Sequence, residues 1–134
     1  MSSPDFSPVT VIGGGIAGAT SAIALSRHGF PVTLIDEQPV AGGQIFRAPS
    51  PYARRVVPPN HEFSGGDTLR QKLAASNVDV RFSTRVWGLS PTLMLDLLGP
   101  DGINQLPAAT LVVANGATER FLPFQGWTTP RIIG

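Results

Sequence analysis

One stretch decides most of what this chain can become. From Val9 to Glu37 it reads VTVIGGGIAGATSAIALSRHGFPVTLIDE. Val9, Val11 and Ile12 predict a short strand of the kind buried on both faces in a parallel sheet. Gly13-x-Gly15-x-x-Gly18 follows directly. Gly13 permits a tight turn, Gly15 removes the side chain that would hold a phosphate off the backbone, and Gly18 lets the next helix lie close to the strand. That helix is expected over 16–28, with Ile16 and Ala17 in its first turn. Its N-terminus offers unpaired amides and the positive dipole end to an anion. Ala17, Ala19, Ala22 and Ala24 keep it slim, while Ile16, Ile23 and Leu25 can face a core. Arg27 and His28 suit its last turn and Gly29 a left-handed cap. Val32 to Ile35 forms a second strand, and Asp36 closes it eighteen positions after Gly18. The whole is a βαβ unit shaped around the pyrophosphate of a dinucleotide.

The acid is part of that reading. A carboxylate at Asp36 can accept hydrogen bonds from both ribose hydroxyls and would repel a 2′-phosphate. Glu37 is the alternative, because a one-residue slip in register exchanges the two directions. A glycine turn that binds nothing would account for Gly18, but not for Gly15 or for an acid ending a buried strand.

Three further segments narrow the comparison. Gly18-x3-Ala22-x6-Gly29 extends the glycine fingerprint in the manner of FAD-binding two-dinucleotide-fold flavoproteins. Ala41-Gly42-Gly43-Gln44-Ile45-Phe46-Arg47 is similar to the GGQ loop of their thioredoxin reductase-like branch. Leu111 to Arg120, LVVANGATER, resembles that superfamily's strand and ATG motif, and FLPFQGW follows it. Together, DEQPxxGGQIxR and GATERxLPFxGW resemble the FAD-containing larger subunit of opine oxidases. Hydrogen cyanide synthase, dye-linked proline dehydrogenases and the sarcosine oxidase alpha subunit share the pattern. The resemblance covers nearly the whole chain and is specific for FAD, not for substrate.

It implies an α/β, Rossmann-like FAD/NAD(P)-binding domain, mostly parallel sheet with a small antiparallel meander. It also implies oxidation of an amine or amino-acid derivative, with chemistry done by the flavin and no catalytic residue named. Gly43 and Gln44 would lie along the ribityl chain, or form a simple turn. Arg47 is a charged donor to the pyrophosphate or an exposed loop arginine. By family position Val86 flanks adenine, and Ala114 and Gly116 pass close to the cofactor. Asn115 stands where the family has Thr. No second GxGxxG and no later Gly-Asp motif is present, so the chain reads as an N-terminal portion whose partners are FAD and either further domains or another protein of a flavoenzyme complex. Formation of a homo-oligomer is left open, and activity of the chain alone is not expected. Two rivals remain: a non-catalytic FAD- or ADP-binding or assembly module, and an NAD-binding Rossmann protein, since the first fingerprint serves both cofactors.

The rest of the sequence sets limits. Its 134 residues suit one domain, partial by family standards, with a long loop at 38–62 interrupted by Pro39, Pro49, Pro51, Pro58 and Pro59. A single short turn is expected around Ala53 to Val56. A second helix is expected over 64–76 and a third parallel strand over 78–82. Segments 86–89, 93–98 and 103–106 read as the meander, turned at Gly99-Pro100-Asp101-Gly102, and 110–114 returns to the main sheet. Apolar content of 42% and charged content of 14% fit a well-buried sheet, and the low charge points to surface covered by further protein. A net charge of +1 gives no reason for nucleic acid or membrane binding. With no cysteine there is no disulfide, thiolate metal site or redox dithiol. His28 and His61 lack metal spacing and are expected at the surface. Glu119-Arg120 reads as a solvated pair and Trp127 as packing. No apolar stretch reaches about 18 residues, and a reducing cytoplasm is the expected compartment.

Overall fold

In the computed structural model, which describes residues 6–50, 61–117, 123–126 and 128–130, the apolar run of the opening motif is a strand, β1 (Val9–Ile12). It is followed by α1 (Ile16–Arg27), β2 (Val32–Ile35), α2 (His61–Ala74), β3 (Asp79–Arg81), β4 (Arg85–Leu89), β5 (Met94–Gly99), β6 (Gly102–Pro107) and β7 (Thr110–Val113). Strands β3-β2-β1-β7 form a four-stranded parallel sheet, with Val9 opposite both Val32 and Thr110. The remaining three form an antiparallel sheet in the order β4-β5-β6, closed by a two-residue turn at Pro100 and Asp101.

Alternation along the parallel strands sorts their side chains between two layers. Val9, Val11, Val32 and Leu34 meet Ala19, Ala22 and Ile23 of α1 and Leu69 and Leu73 of α2 on one face. Ile35, with Ile12 and Leu111 beside it, meets Leu95 and Leu97 of the meander on the other. Helices, parallel sheet and meander are therefore three layers, and β1 and β2 are buried on both faces as their composition requires.

Helix α1 ends as Gly29 dictates. Gly29 takes φ +90°, its N–H donates to the carbonyl of Ser26, and the N–H of Phe30 reaches back to Leu25. These are the two bonds of a Schellman cap.

Several expectations shift. Helix α1 stops at Arg27 with His28 as its cap. Ala19 and Ala22 are buried, but Ala17 and Ala24 face solvent. Ile16 is only half-buried and belongs to neither core. Helix α2 begins at His61, three residues before the expected start, which shortens the 38–62 loop at its far end. The turn expected at Ala53 to Val56, the motif residues 118–122, Trp127 and the side chain of His61 lie outside the described residues. His28 is exposed as expected. No helix among the described residues is long and apolar enough to cross a membrane.

Candidate functional site

The glycine turn sits at the carboxyl ends of β1 and β7, where α1 begins. Gly13 has φ +102°, and a Cβ there would strike the carbonyl of Ala114. A Cβ on Gly18 would drive into the carbonyl of Gly13. Both glycines are thus demanded by the chain's own packing, one by the turn and one by the close approach of α1. Ala114 serves the same contact. It is half-buried, its N–H donates to Ile12 at 2.8 Å, and its methyl lies against the Gly18 position.

Gly15 is different. Its backbone is extended (φ −67°, ψ −175°), a conformation open to any residue, and it is the N-cap of α1. A Cβ there would meet only the Cα of Gly43, at the ordinary distance of 3.8 Å. Nothing among the described residues requires this residue to lack a side chain. Beyond it, the first amides of α1 at Ile16, Ala17 and Gly18 precede the first intrahelical bond, from Ala19 to Gly15. No side chain caps them and no acid stands in the first turn. The positive end of the helix is therefore left open toward the position that Gly15 keeps clear.

A strap faces the turn. Gly42 forms an isolated parallel bridge with Gly15, and its N–H donates to Gly14 at 2.9 Å. Gly43, at φ +61°, lies so near Gly15 that a Cβ on it would stand 3.0 Å from the Gly15 Cα. The Gln44 amide donates to the carbonyl of Ala117 at 2.9 Å, tying the strap to the segment after β7. Gly116 takes φ +67°, and among the described residues nothing lies within 4 Å of its missing Cβ. Arg47 is exposed.

At the far rim Asp36 ends β2. Its carboxylate accepts the N–H of Gly14 through Oδ2 and the N–H of Gln38 through Oδ1 at 2.7 Å. Two amides thus fix its orientation, and two further lone-pair positions remain. Glu37 turns outward and pairs with Arg85 at 3.0 Å; both side chains are more than half exposed, a setting in which ion pairs contribute little. Val86 packs half-buried between the meander and the parallel sheet, paired with Leu97 across β4–β5 next to a bulge. Among the described residues no cluster of His, Cys, Asp or Glu could hold a metal.

Thus Gly13, Gly15, Ile16, Ala17, Gly18, Gly43, Gln44, Ala114 and Gly116 converge on one end of the parallel sheet. Asp36 stands at its rim and Glu37 points away. A separate open cavity of about 350 Å³, lined by Val80, Arg81, Phe82, Leu97 and Asp101, includes none of the predicted residues. Sequence reasoning did not single out Gly42 or the Gly14 amide. The doubled glycine at 42–43 was a visible signal for the first; the second needed the fold.

The order of strand, glycine turn, helix and acid-tipped strand is matched by the model of the NAD(P)-binding Rossmann-like domain over residues 11–80, more than half of the chain. The chain belongs to this family. Among curated proteins it is 36% identical over 124 residues to one of the opine oxidase subunits of Rhizobium meliloti, covering 91% of this chain. It is 32% identical to hydrogen cyanide synthase subunit HcnB of Pseudomonas aeruginosa over 129 residues, covering 92% of this chain. In both cases the match spans 27% of the relative's length. Among solved structures, L-proline dehydrogenase from P. horikoshii superposes with a TM-score of 0.69 at 20% identity, covering 91% of this chain and 25% of that one. This Rossmann-like domain therefore shares its fold with part of the dehydrogenase and its ancestry with subunits of the two named enzymes.

Proposed function

We propose that this chain is the FAD-binding part of a flavin-dependent oxidoreductase acting on an amine or amino-acid derivative. The observation that carries the nucleotide half of the reading is Gly15. Its missing side chain answers to no demand among the described residues, and the space it leaves open adjoins uncapped amides at the start of α1. A pyrophosphate fits that combination of room, donors and positive dipole. Gly13, Gly15 and Gly18, with the amides of Ile16 and Ala17, would admit it. Asp36, already oriented by two amides, would accept ribose hydroxyls, with Glu37 as the alternative. Val86 would flank adenine, and Gly43, Gln44, Arg47, Ala114 and Gly116 would border the flavin half.

Bound FAD would supply the acceptor for a hydride or electron pair. FAD is favoured over NAD by the GGQ loop and the GATER motif, and the acid at Asp36 disfavours a 2′-phosphate. The amine or amino-acid substrate class is supported by the relationship to part of an enzyme named for oxidising opines.

An absorption titration with FAD, with ADP and NAD as competitors, tests the reading. A perturbed flavin band that ADP displaces, and NAD displaces less well, is the expected result. Displacement by NAD in preference to ADP would make this an NAD domain. No nucleotide binding by a cooperatively folded chain would leave an assembly module.

A further inference from the structure

Two glycines inside α2 have no part in the nucleotide reading, and they lead to an arginine one turn further on. Gly65 and Gly66 lie within His61–Ala74, where glycine is a poor helix former. A Cβ on Gly65 would stand 2.8 Å from Cζ of Phe46. One on Gly66 would stand 2.8 Å from Nη2 of Arg70 and 3.2 Å from Cβ of Phe46. The two absent side chains leave a notch, and the Phe46 ring and the Arg70 guanidinium fill it.

Arg70 is largely buried there, its side chain 18% exposed. Nη1 donates to the carbonyls of Ala41 and Phe46, each at 3.0 Å. Nη2 donates to Oδ1 of Asp67 at 2.8 Å, one helical turn back, which aims the guanidinium. Those two carbonyls are the ends of the strap. Between them lie Gly42, whose N–H bonds to Gly14, and Gly43, pressed against Gly15. The N–H of Phe46 closes the strap on the carbonyl of Gly42 at 3.1 Å.

We propose that Arg70 is a positioning residue of the nucleotide site. From α2 it grips both ends of the 41–46 strap and so holds the Gly42–Gly43 backbone beside Gly15 at the start of α1. The inference rests on the nucleotide reading above. It goes beyond that reading in assigning a residue that contacts neither the glycine turn nor the acid. The planar fork is essential to it, because a guanidinium serves two carbonyls and a carboxylate at once, whereas a shorter tetrahedral ammonium cannot match that geometry.

The test combines amide hydrogen exchange with FAD titration on the full chain, on Arg70→Ala and on Arg70→Lys. In Arg70→Ala the amides of Gly42 and Phe46 should exchange about tenfold faster or more while those of β1 and β2 keep their protection. FAD affinity should fall about 10- to 100-fold, the range expected when hydrogen bonds to a charged group are lost. Guanidinium ion, at concentrations far below denaturing, should recover part of that affinity, and Arg70→Lys should fall between the two. A purely structural staple would not show that rescue at constant core protection.

Equal FAD affinity in Arg70→Ala, or unchanged exchange in the strap, would overturn the assignment of Arg70 alone. If Arg70→Ala also loses protection in β1 and β2, Arg70→Lys decides: parent-like affinity there overturns the assignment, and weakened affinity with an intact core supports it. Failure of the parent chain to take up FAD, ADP or NAD would instead remove the nucleotide reading, and the positioning role with it.

Discussion

The two faces of the parallel sheet are held by different kinds of packing. On the helix face the tightest contact is made by small residues, with larger ones around it: Gly18, Ala19 and Ala22 bring α1 so close that backbone meets backbone. On the meander face the chain works with large ones: Leu95 and Leu97 of β5 reach across to Ile35, while Leu98 of β5 and Ile103 of β6 stay exposed. Close backbone packing leaves no room for adjustment, whereas side chains can relax into alternative rotamers. Substitutions should therefore be punished more heavily on the helix face. Gly15, on the rim of that face, should escape the penalty altogether.

The sharpest test is Gly18→Ala. One methyl placed on the Gly13 carbonyl cannot be absorbed by a rotamer change, since both partners are backbone. A loss of about 3 kcal/mol or more is expected in urea unfolding, at or beyond the upper end of ordinary overpacking, or no cooperative fold at all. A loss below about 1 kcal/mol would mean that α1 can slide on the sheet, and the contrast between the faces would disappear.

Next come the paired truncations Leu34→Ala and Leu95→Ala. Both side chains are fully buried, so the burial lost is alike and the surroundings decide. Leu34 lies among the residues that join both helices to the sheet, where little can collapse into the space; about 3–5 kcal/mol is expected. Leu95 lies in the smaller cluster under the meander, which can settle onto the sheet, and about 2–3 kcal/mol is expected. Equal losses in the same denaturation assay would show that the meander is as rigidly seated as the helices.

Asp36→Ala should have a smaller effect on folding and a larger one on binding. Removing the carboxylate leaves the amides of Gly14 and Gln38 without their acceptor, for about 1–2 kcal/mol of stability. If Asp36 holds the ribose, nucleotide affinity drops by a further 1.5–3 kcal/mol or so. Unchanged affinity would move the role to Glu37 or dismiss it.

The same contrast explains what could be read in advance. The βαβ unit was legible because each of its cues is local: β-branched runs, a glycine turn, alanines, a Gly29 cap and an acid, all within thirty residues of one another. The meander was legible from three short segments and from the Gly99–Gly102 turn. The start of α2 was not. The expected start at 64 already took Gly65-Gly66 into the helix, but nothing local explains why glycines stand there; Phe46 and Arg70 occupy the space their side chains would need. Phe46 lies nineteen positions before Gly65, a separation that no local pattern reports. One tie of the strap was hidden for a related reason. Gln44 was read as lying along the ribityl chain or as part of a simple turn; neither reading reports its amide bond to the Ala117 carbonyl, a contact created by the return of β7 to the sheet. Local chemistry thus identified the glycines and the acid, and only tertiary structure showed which of them the protein needs for itself.

Gly15→Ala separates those two demands most cleanly, because its predicted effect on stability is the smallest and can have the opposite sign. The backbone at this position suits alanine, and the new methyl meets only the Gly43 Cα at 3.8 Å. Replacing glycine at such a site restricts the unfolded chain, so stability should stay level or rise by up to about 1 kcal/mol. Nucleotide affinity should nevertheless fall at least tenfold (about 1.4 kcal/mol), because the methyl enters the space in which a phosphate would approach the α1 amides. Urea unfolding and FAD titration on the same sample read the two effects separately. A destabilised variant would show that the fold, not a ligand, requires glycine here, and Gly15 would then join Gly13 and Gly18 as a packing residue. A stable variant that binds FAD as the parent does would place the pyrophosphate elsewhere, and the open start of α1 would have no assigned ligand.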